Sequence, residues 1–574
     1  MAEFDLVIRG GTVIDGSGSD GFVGDVAVTD GKIVEVGEIG GKGKREYDAS
    51  GAIVAPGFVD IHTHYDGQAT WDSYLQPSSW HGVTTVVMGN CGVGFAPAQP
   101  ADHKRLIELM EGVEDIPGVA LTEGLSWDWE TFPEFLDALE KQPHDVDFAA
   151  QVPHAALRVR AMGNRAAAYE IATEEEVAFM AKLAAEAIEA GALGFSTSRT
   201  LNHKSVTGEL TPSYRAGVEE LVAIARAIGK TGTGVLQLVS DLPVREEAEF
   251  DLVTKMLEAS GRPMSISLAQ GGPNPERYKS ILNFLTQMNE QGHTLKGQAA
   301  ARAIGIILGL ECTLHPFMLN PVWKQLAHLS VPEQAAKMAD PQIKARMLAA
   351  QSNEKDPNLI GGALIDLYSR MVYLADPPDY EPDLLTQSLE NRAIAEGRTP
   401  EDIAYDILVS DEGRGKIYAP LLNYGYGNLD GVREMLTHPY TIPGLSDGGA
   451  HVGTICDGSF PTTLLQYWGR DRPHGKIDLP FLIARQARGT AQAVGLLDRG
   501  LLKPAYKADI NIIDMAALRL HRPSVRYDLP AGGRRLLQRA DGYRHTFVSG
   551  VETYRDGEAT EVLPGRLARG ARDV

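Results

Sequence analysis

Eight short apolar segments recur along the middle of this chain, and their repetition constrains the fold more than any other feature. They are 53–62 (IVAPGFVDIH), 84–90 (TTVVMGN), 147–154 (DFAAQVPH), 192–197 (ALGFST), 234–240 (GVLQLVS), 264–269 (MSISLA), 294–298 (TLKGQ) and 441–447 (TIPGLSD). Short apolar strands alternating with amphipathic helices mark βα units and a parallel sheet. Eight such units predict an α/β fold, a TIM-like (β/α)8 barrel. One intervening helix is legible in detail. Thr173 and Glu176 form a capping box, Val177, Met180, Leu183, Ala184, Ala187 and Ile188 fall on one face, and Gly191 stops it. The seventh and eighth segments lie more than 140 residues apart, too far for a bare loop. That stretch is rich in helix formers and carries DPPDYEP (376–382), so it predicts a helical insertion, about residues 300–437, over the barrel mouth.

Both ends of the chain change period. Phe4, Leu6 and Ile8 alternate with polar neighbours, and Asp30-Gly31 is a two-residue hairpin signal between Val26, Val28 and Ile33, Val34, Val36. The end of the chain is similar: ADINIID (508–514), then HTFVSGVETYRDGEAT (545–560) with a second Asp-Gly at 556–557. Termini of a domain often lie close together. The expectation is a small β-sandwich from residues 1–54 and 500–574, flanking a barrel over 55–499.

Composition excludes several classes. With 43% hydrophobic and 23% charged residues in 574, the chain is neither disordered nor fibrous. Its 54 Lys and Arg against 76 Asp and Glu give a net charge of −22, which repels nucleic acid and anionic lipid. Three cysteines, Cys91, Cys312 and Cys456, are too few for a disulfide framework. The opening MAEFDLVIRG is no signal peptide. Ala303–Leu310, the longest apolar run, is far short of the roughly 20 residues a bilayer needs. A cytoplasmic protein without membrane or nucleic-acid partners is expected.

The chemistry-bearing residues sit at strand ends. Asp60-Ile61-His62-Thr63-His64 closes the first segment, and on a strand residues i and i+2 share a side, so His62 and His64 can meet one ion. The alternative is two ordinary strand-end histidines. Leu445-Ser446-Asp447-Gly448-Gly449-Ala450-His451 closes the last segment; Asp447 reads as a metal ligand that also moves a proton, or as a turn residue. In a closed barrel the first and eighth strands are neighbours, which favours the ligand. Cys91, in Gly89-Asn90-Cys91-Gly92 after the second segment, reads as a thiolate ligand or a small buried side chain. No GxSxG nucleophile elbow stands out.

Together these motifs resemble the amidohydrolase superfamily and, within it, the N-acyl-D-amino-acid deacylases. The resemblance runs through DLVIRGGTVIDGSG, VAPGFVDIHTHYD, GVTTVVMGNCGVGFAP, VPHAALR, GALGFSTS, GLSDGGAH and GLLKPAYKADINIID. It implies a barrel with a terminal β-sandwich, zinc held by His62, His64 and Asp447, and Cys91 as ligand of a neighbouring zinc. The chain departs from the family at strands five and six, where Gln237 and Leu268 stand at the expected histidines. Gln is a poor zinc ligand and Leu is none. One zinc, or another divalent ion, is therefore expected rather than two.

The implied reaction is hydrolysis of an amide C–N bond by metal-activated water, with Asp447 as general base and a small-molecule N-acyl amino acid, of D configuration by resemblance, as substrate. His154, ending strand three, is expected to stabilise the oxyanion. Gln298 is expected to orient a carbonyl and Arg302 to pair a substrate carboxylate, with Gln237, Gln270, His203 and His451 lining the pocket. Tyr214, His315 and His81 are read as structural. Cyclic amide, ester or carbamate hydrolysis is the near alternative, and a metal-poor binding relative the distant one. Self-association into a homo-oligomer fits a barrel with added domains.

Overall fold

Gly57 is where the chain leaves one sheet for another. A Cβ there would lie 2.2 Å from Thr84 Oγ1, so only glycine fits the crossing. The segment 53–62 is accordingly two strands. Ile53–Pro56 pairs antiparallel with Ile510–Ile513 in a sheet made from both chain ends, and Phe58–Asp60 begins the barrel. In this computed structural model, residues 3–574 are described, apart from 243–244, 272–273, 351, 353 and 357–360.

The barrel strands follow in sequence order: Phe58–Asp60, Val83–Met88, Asp147–Pro153, Gly194–Arg199, Val235–Ser240, Met264–Leu268, Leu295–Ala299 and Thr441–Pro443, all parallel to their neighbours. Each of the eight expected segments supplies one. The ring closes beyond the ends of strands eight and one, where Asp447 N donates to His62 O (3.1 Å) and His64 N to Gly448 O (2.8 Å). Closure therefore falls on the residues that carry the candidate chemistry. Helix Glu174–Ala190 has its reciprocal capping box, buries Met180, Ala184, Ala187 and Ile188, and ends at Gly191 with φ +112°. A cap of this kind contributes about 1 kcal/mol. Burying the Met and Ile side chains adds about 1.5–3 kcal/mol each.

The terminal sheet has nine strands. Phe4–Val13 and Phe22–Thr29 form its N-terminal part, and Tyr543–Val548 and Val551–Arg555 its C-terminal part. The Asp30-Gly31 hairpin forms as its sequence predicts, with φ of +51° and +71°. Leu6, Ile8, Val26, Val28, Ile510, Ile512 and Phe547 pack one core across the seam between the two ends. The C-terminal segment does not stay in this sheet. Ser524–Leu529 and Gly533–Leu537 form a hairpin whose Leu536 N donates to Val452 O, tying it to the loop after strand eight.

The insertion between strands seven and eight differs from expectation. Helices such as Val331–Met338, Pro341–Ala349 and Pro400–Gly413 are present, but so is a three-stranded sheet of Ile304–Leu308, Ile417–Leu422 and Val372–Tyr373. Ile306, Leu308, Leu408, Ile417 and Ala419 bury one face of it against those helices in a separate core. Among the described residues, no helix is long and apolar enough to cross a membrane.

Candidate active site

His62 is buried, and its Nδ1 lies 2.6 Å from Gln298 Oε1. A carbonyl oxygen can only accept, so Nδ1 carries the proton and Nε2 keeps a lone pair for a ligand. The Gln298 amide is fixed in turn by Nε2 donating to Ser265 Oγ (2.9 Å). His62 Nε2 is 3.3 Å from Cys91 Sγ and 3.3 Å from Asp447 Oδ1. His64 Nε2 is 3.5 Å from that same oxygen, and its Nδ1 is 3.4 Å from Glu114 Oε1. Ligand atoms of His62, His64 and Cys91 all lie within 4.8 Å of one another. A tetrahedral ion with bonds of about 2.1 Å has donor–donor edges of about 3.4 Å, which the His62–Cys91, His62–Asp447 and His64–Asp447 separations match.

Electrostatics favour a cation at this point. Burial opposes ionisation of Asp447, yet His64, His62 and His451 outweigh it and hold the carboxyl well below the usual carboxylate range. Burial pushes the Cys91 thiol far up, with Glu114, Asp447 and Asp66 adding to it, and pushes up the Glu114 carboxyl beside Asp447 and Asp66 in the same way. Burial lowers both His62 and His64, which favours the neutral form that ligates. Buried Asp60 and Asp66 are each raised to about 7. His64 Nδ1 and Nε2, Glu114 Oε1 and Gln237 Nε2 are buried with no hydrogen-bond partner. Buried polar atoms are rarely left so, and here they cluster about one point.

Glu114 was not among the residues singled out by sequence. It ends helix His103–Glu114, and its two oxygens face His64 Nδ1 (3.4 Å) and His451 Nε2 (3.5 Å). His451 also lies 3.9 Å from Asp447 Oδ2, so it belongs to the cluster. His203 is held by Ser198 Oγ (2.9 Å), and burial together with the nearby His451 and His64 rings pushes its pKa down to about 3. Cys91, Leu445, Asp447 and His451 all have left-handed backbones, with φ of +55°, +57°, +48° and +50°. Each non-glycine residue so placed costs about 1–3 kcal/mol, strain that concentrates at functional sites.

Several expected roles are corrected. His154 has both ring nitrogens engaged, with Thr197 Oγ1 and Glu220 Oε1 (2.8 Å each), and Glu220 is further paired with Arg158. It is locked in a buried network apart from the cluster and has no donor left for an oxyanion. Arg302 is sealed against Asp457 (2.7 Å), with its guanidinium 3.7 Å over the Tyr380 ring, so its charge is spent inside the protein. Gln298 holds His62 rather than a substrate carbonyl. Gln270 takes Gly425 N on its Oε1 (2.7 Å) and fastens strand six to the insertion. Gln237 accepts Cys91 N (3.1 Å) and so does sit beside the cluster. Leu268 is not at a ligand position at all. Its pairing with Ala299, one residue past the inward Gln298, turns it outward, where with Leu285 it would crowd a Cβ at Gly297. Ser267, paired with Gln298, is the inward residue of strand six. Of the histidines set aside, His81 bonds Thr462 and the Gln538 carbonyl, and His315 packs on Trp323.

A closed parallel barrel presenting two histidines, a carboxylate and a thiol at its C-terminal rim defines a barrel hydrolase of the metal-binding type. The amidohydrolase family profile matches residues 45–557. D-aminoacylase of Alcaligenes xylosoxydans xylosoxydans is 28% identical over 579 residues, covering 99% of this chain and 98% of that protein. A solved D-aminoacylase, described for a binuclear metal centre with one-metal activation and second-metal attenuation, superposes with a TM-score of 0.67 at 24% identity, covering 99% of this chain and 100% of that one. N-acyl-D-glutamate deacylase from Bordetella bronchiseptica, complexed with zinc and a phosphonate mimic of the tetrahedral intermediate, gives 0.65 at 23% identity and covers 99% of each chain. The chain belongs to the amidohydrolase family. It is an enzyme of the class that hydrolyses amide C–N bonds.

Proposed function

We propose that this protein hydrolyses N-acyl amino acids, small molecules of D configuration by analogy with the relatives above, using one divalent ion held by His62, His64, Asp447 and Cys91. The observation that carries the reading is the set of donor separations of 3.3–3.5 Å around Asp447 Oδ1 and His62 Nε2, among buried atoms without hydrogen-bond partners. Two imidazoles, a carboxylate and a thiol form a zinc-type donor set, and the lack of histidine at Gln237 and Ser267 supports one ion. Such an ion supplies Lewis acidity toward the scissile carbonyl and lowers the pKa of a water.

The remaining steps belong to the chain. Asp447, kept ionised, takes the proton of the attacking water and delivers it to the departing nitrogen. His451, beside Asp447 Oδ2 and Glu114, holds that carboxylate in place. Gln237 Nε2, an unpartnered donor next to Cys91, is assigned the oxyanion contact that His154 cannot make. Gln298 fixes His62 so that Nε2 would be free to hold the ion, and Glu114 faces Nδ1 of His64.

The test is elemental analysis of the purified protein together with a panel of N-acyl amino acids of both hands. The expected result is about one zinc per chain, turnover favouring the D series, and loss of turnover on chelation that zinc restores. Asp447→Asn is expected to lower turnover about 10²–10⁴-fold, the range for a general base. Activity indifferent to chelation, or to Asp447→Asn, refutes the assignment.

A further inference from the structure

Once Arg302 is sealed against Asp457, no cation named from the sequence remains for a substrate carboxylate. The structure offers another. A cavity of about 390 Å³ is bounded by Asp115, next in sequence to Glu114, by Val452 and Gly453, next in sequence to His451, and by Arg534. Arg534 comes from the far end of the chain, in the hairpin strand Gly533–Leu537. Two residues on, Leu536 N donates to the carbonyl of Val452, which fixes Arg534 close to the His451 loop.

Charge pairing separates Arg534 from its neighbours. Its Nη2 donates to the Cys312 carbonyl (3.0 Å), and among the described residues it forms no ion pair with a carboxylate. The adjoining Arg535, by contrast, is bound through two nitrogens to Asp528 (2.7 and 3.0 Å). The acids of the cavity wall are tied to neutral donors, not to Arg534. Asp115 accepts from Thr313 Oγ1 (3.2 Å), Gly453 N (3.2 Å) and Thr454 Oγ1 (3.0 Å), and Glu111 accepts from Gly118 N (2.9 Å). Arg534 is the one cation among the described residues lining the cavity, and its guanidinium is a planar group suited to a carboxylate.

We propose that Arg534 binds the carboxylate of the substrate's amino-acid part, making the C-terminal hairpin a specificity element for the barrel site. This rests on the deacylase reading above. It explains how a chain of net charge −22 recognises an anionic substrate, through one local cation rather than its overall field.

The experiment compares a good N-acyl amino acid with its carboxamide, which carries no charge, in wild type, Arg534→Met, Arg534→Gln and Arg534→Lys, with zinc content measured in each. Hydrogen bonds to charged groups are worth about 1.5–3 kcal/mol, so Arg534→Met and Arg534→Gln are expected to lose about 10- to 100-fold in kcat/KM on the acid, mainly through KM. On the carboxamide both keep wild-type kcat/KM, and Arg534→Lys recovers part of the loss on the acid. Equal losses on acid and carboxamide, or none on the acid, overturn the assignment of Arg534 while leaving the deacylase reading intact. If wild type hydrolyses no N-acyl amino acid, both fall together.

Discussion

Gln298 decides between two uses of the same side chain. If it orients a substrate carbonyl, Gln298→Ala raises KM and leaves metal binding alone. If it holds His62, as its 2.6 Å contact with Nδ1 indicates, the substitution acts on the metal. Removing Oε1 leaves a buried Nδ1–H unpaired, at a cost of about 1–3 kcal/mol. The imidazole then recovers that cost by turning or by moving its proton to Nε2, and either change withdraws the lone pair from the ion. Loss of such an outer partner typically lowers metal affinity 10- to 100-fold. The assay is competition of apoprotein with a chromophoric chelator for zinc, run beside steady-state kinetics at saturating zinc. Gln298→Ala is expected to weaken zinc binding by that factor, and Gln298→Glu, which keeps an acceptor oxygen, to bind as wild type does. Unchanged zinc affinity with a raised KM would refute the argument.

Two further outcomes are expected. Burial raises Asp145 from 3.8 to about 6, against hydrogen bonds from Leu75 N and Tyr554 OH. Its contribution to stability is present below pH 4 and lost as pH rises through 6, a loss of about 3 kcal/mol. Asp145→Asn should therefore gain on wild type in chemical denaturation between pH 4 and 7, and a constant difference would show that the carboxyl ionises freely in the fold. Histidines at Gln237 and Ser267 are expected to recruit a second zinc by elemental analysis. The Gln237→His, Leu268→His pair is expected to recruit none and to melt lower, because position 268 faces Leu285.

The sequence was most informative where periodicity and strand ends coincide. Eight apolar runs give eight barrel strands, and HTH, GNCG and LSDGGAH at their ends meet in space because adjacent parallel strands bring their C-terminal ends together. Side-chain parity was harder to read. At Leu268 an offset of one residue turns the side chain to the other face of the sheet, and His154, just past its strand, engages Glu220 of the helix Val218–Lys230. Partners distant in sequence were out of reach. Arg302 meets Asp457 across the whole insertion, and Ile304–Leu308 finds Ile417–Leu422 more than a hundred residues later, so a strand pair read as helical connection. Glu114 left one faint sign. A carboxylate ending a helix opposes the helix dipole, whereas Glu174, Glu175 and Glu176 stand at a helix start, where the dipole favours them.

That misplacement against the dipole has a reason in the site. Asp66, Cys91, Glu114 and Asp447 converge on a small volume whose histidines are lowered by burial and bring no permanent positive charge. Left to themselves, Cys91 and Glu114 keep their protons, because burial beside other anions raises both. A dication held among them would reverse the balance, releasing protons as it bound and converting the cost of gathering these groups into affinity. The left-handed backbones at Cys91, Asp447 and His451 belong to the same account, as strain held where the candidate ligands meet. Strain, an acid at the wrong end of its helix and unpaired buried donors are separate liabilities for a barrel alone, and the proposed cation at their centre would resolve all three.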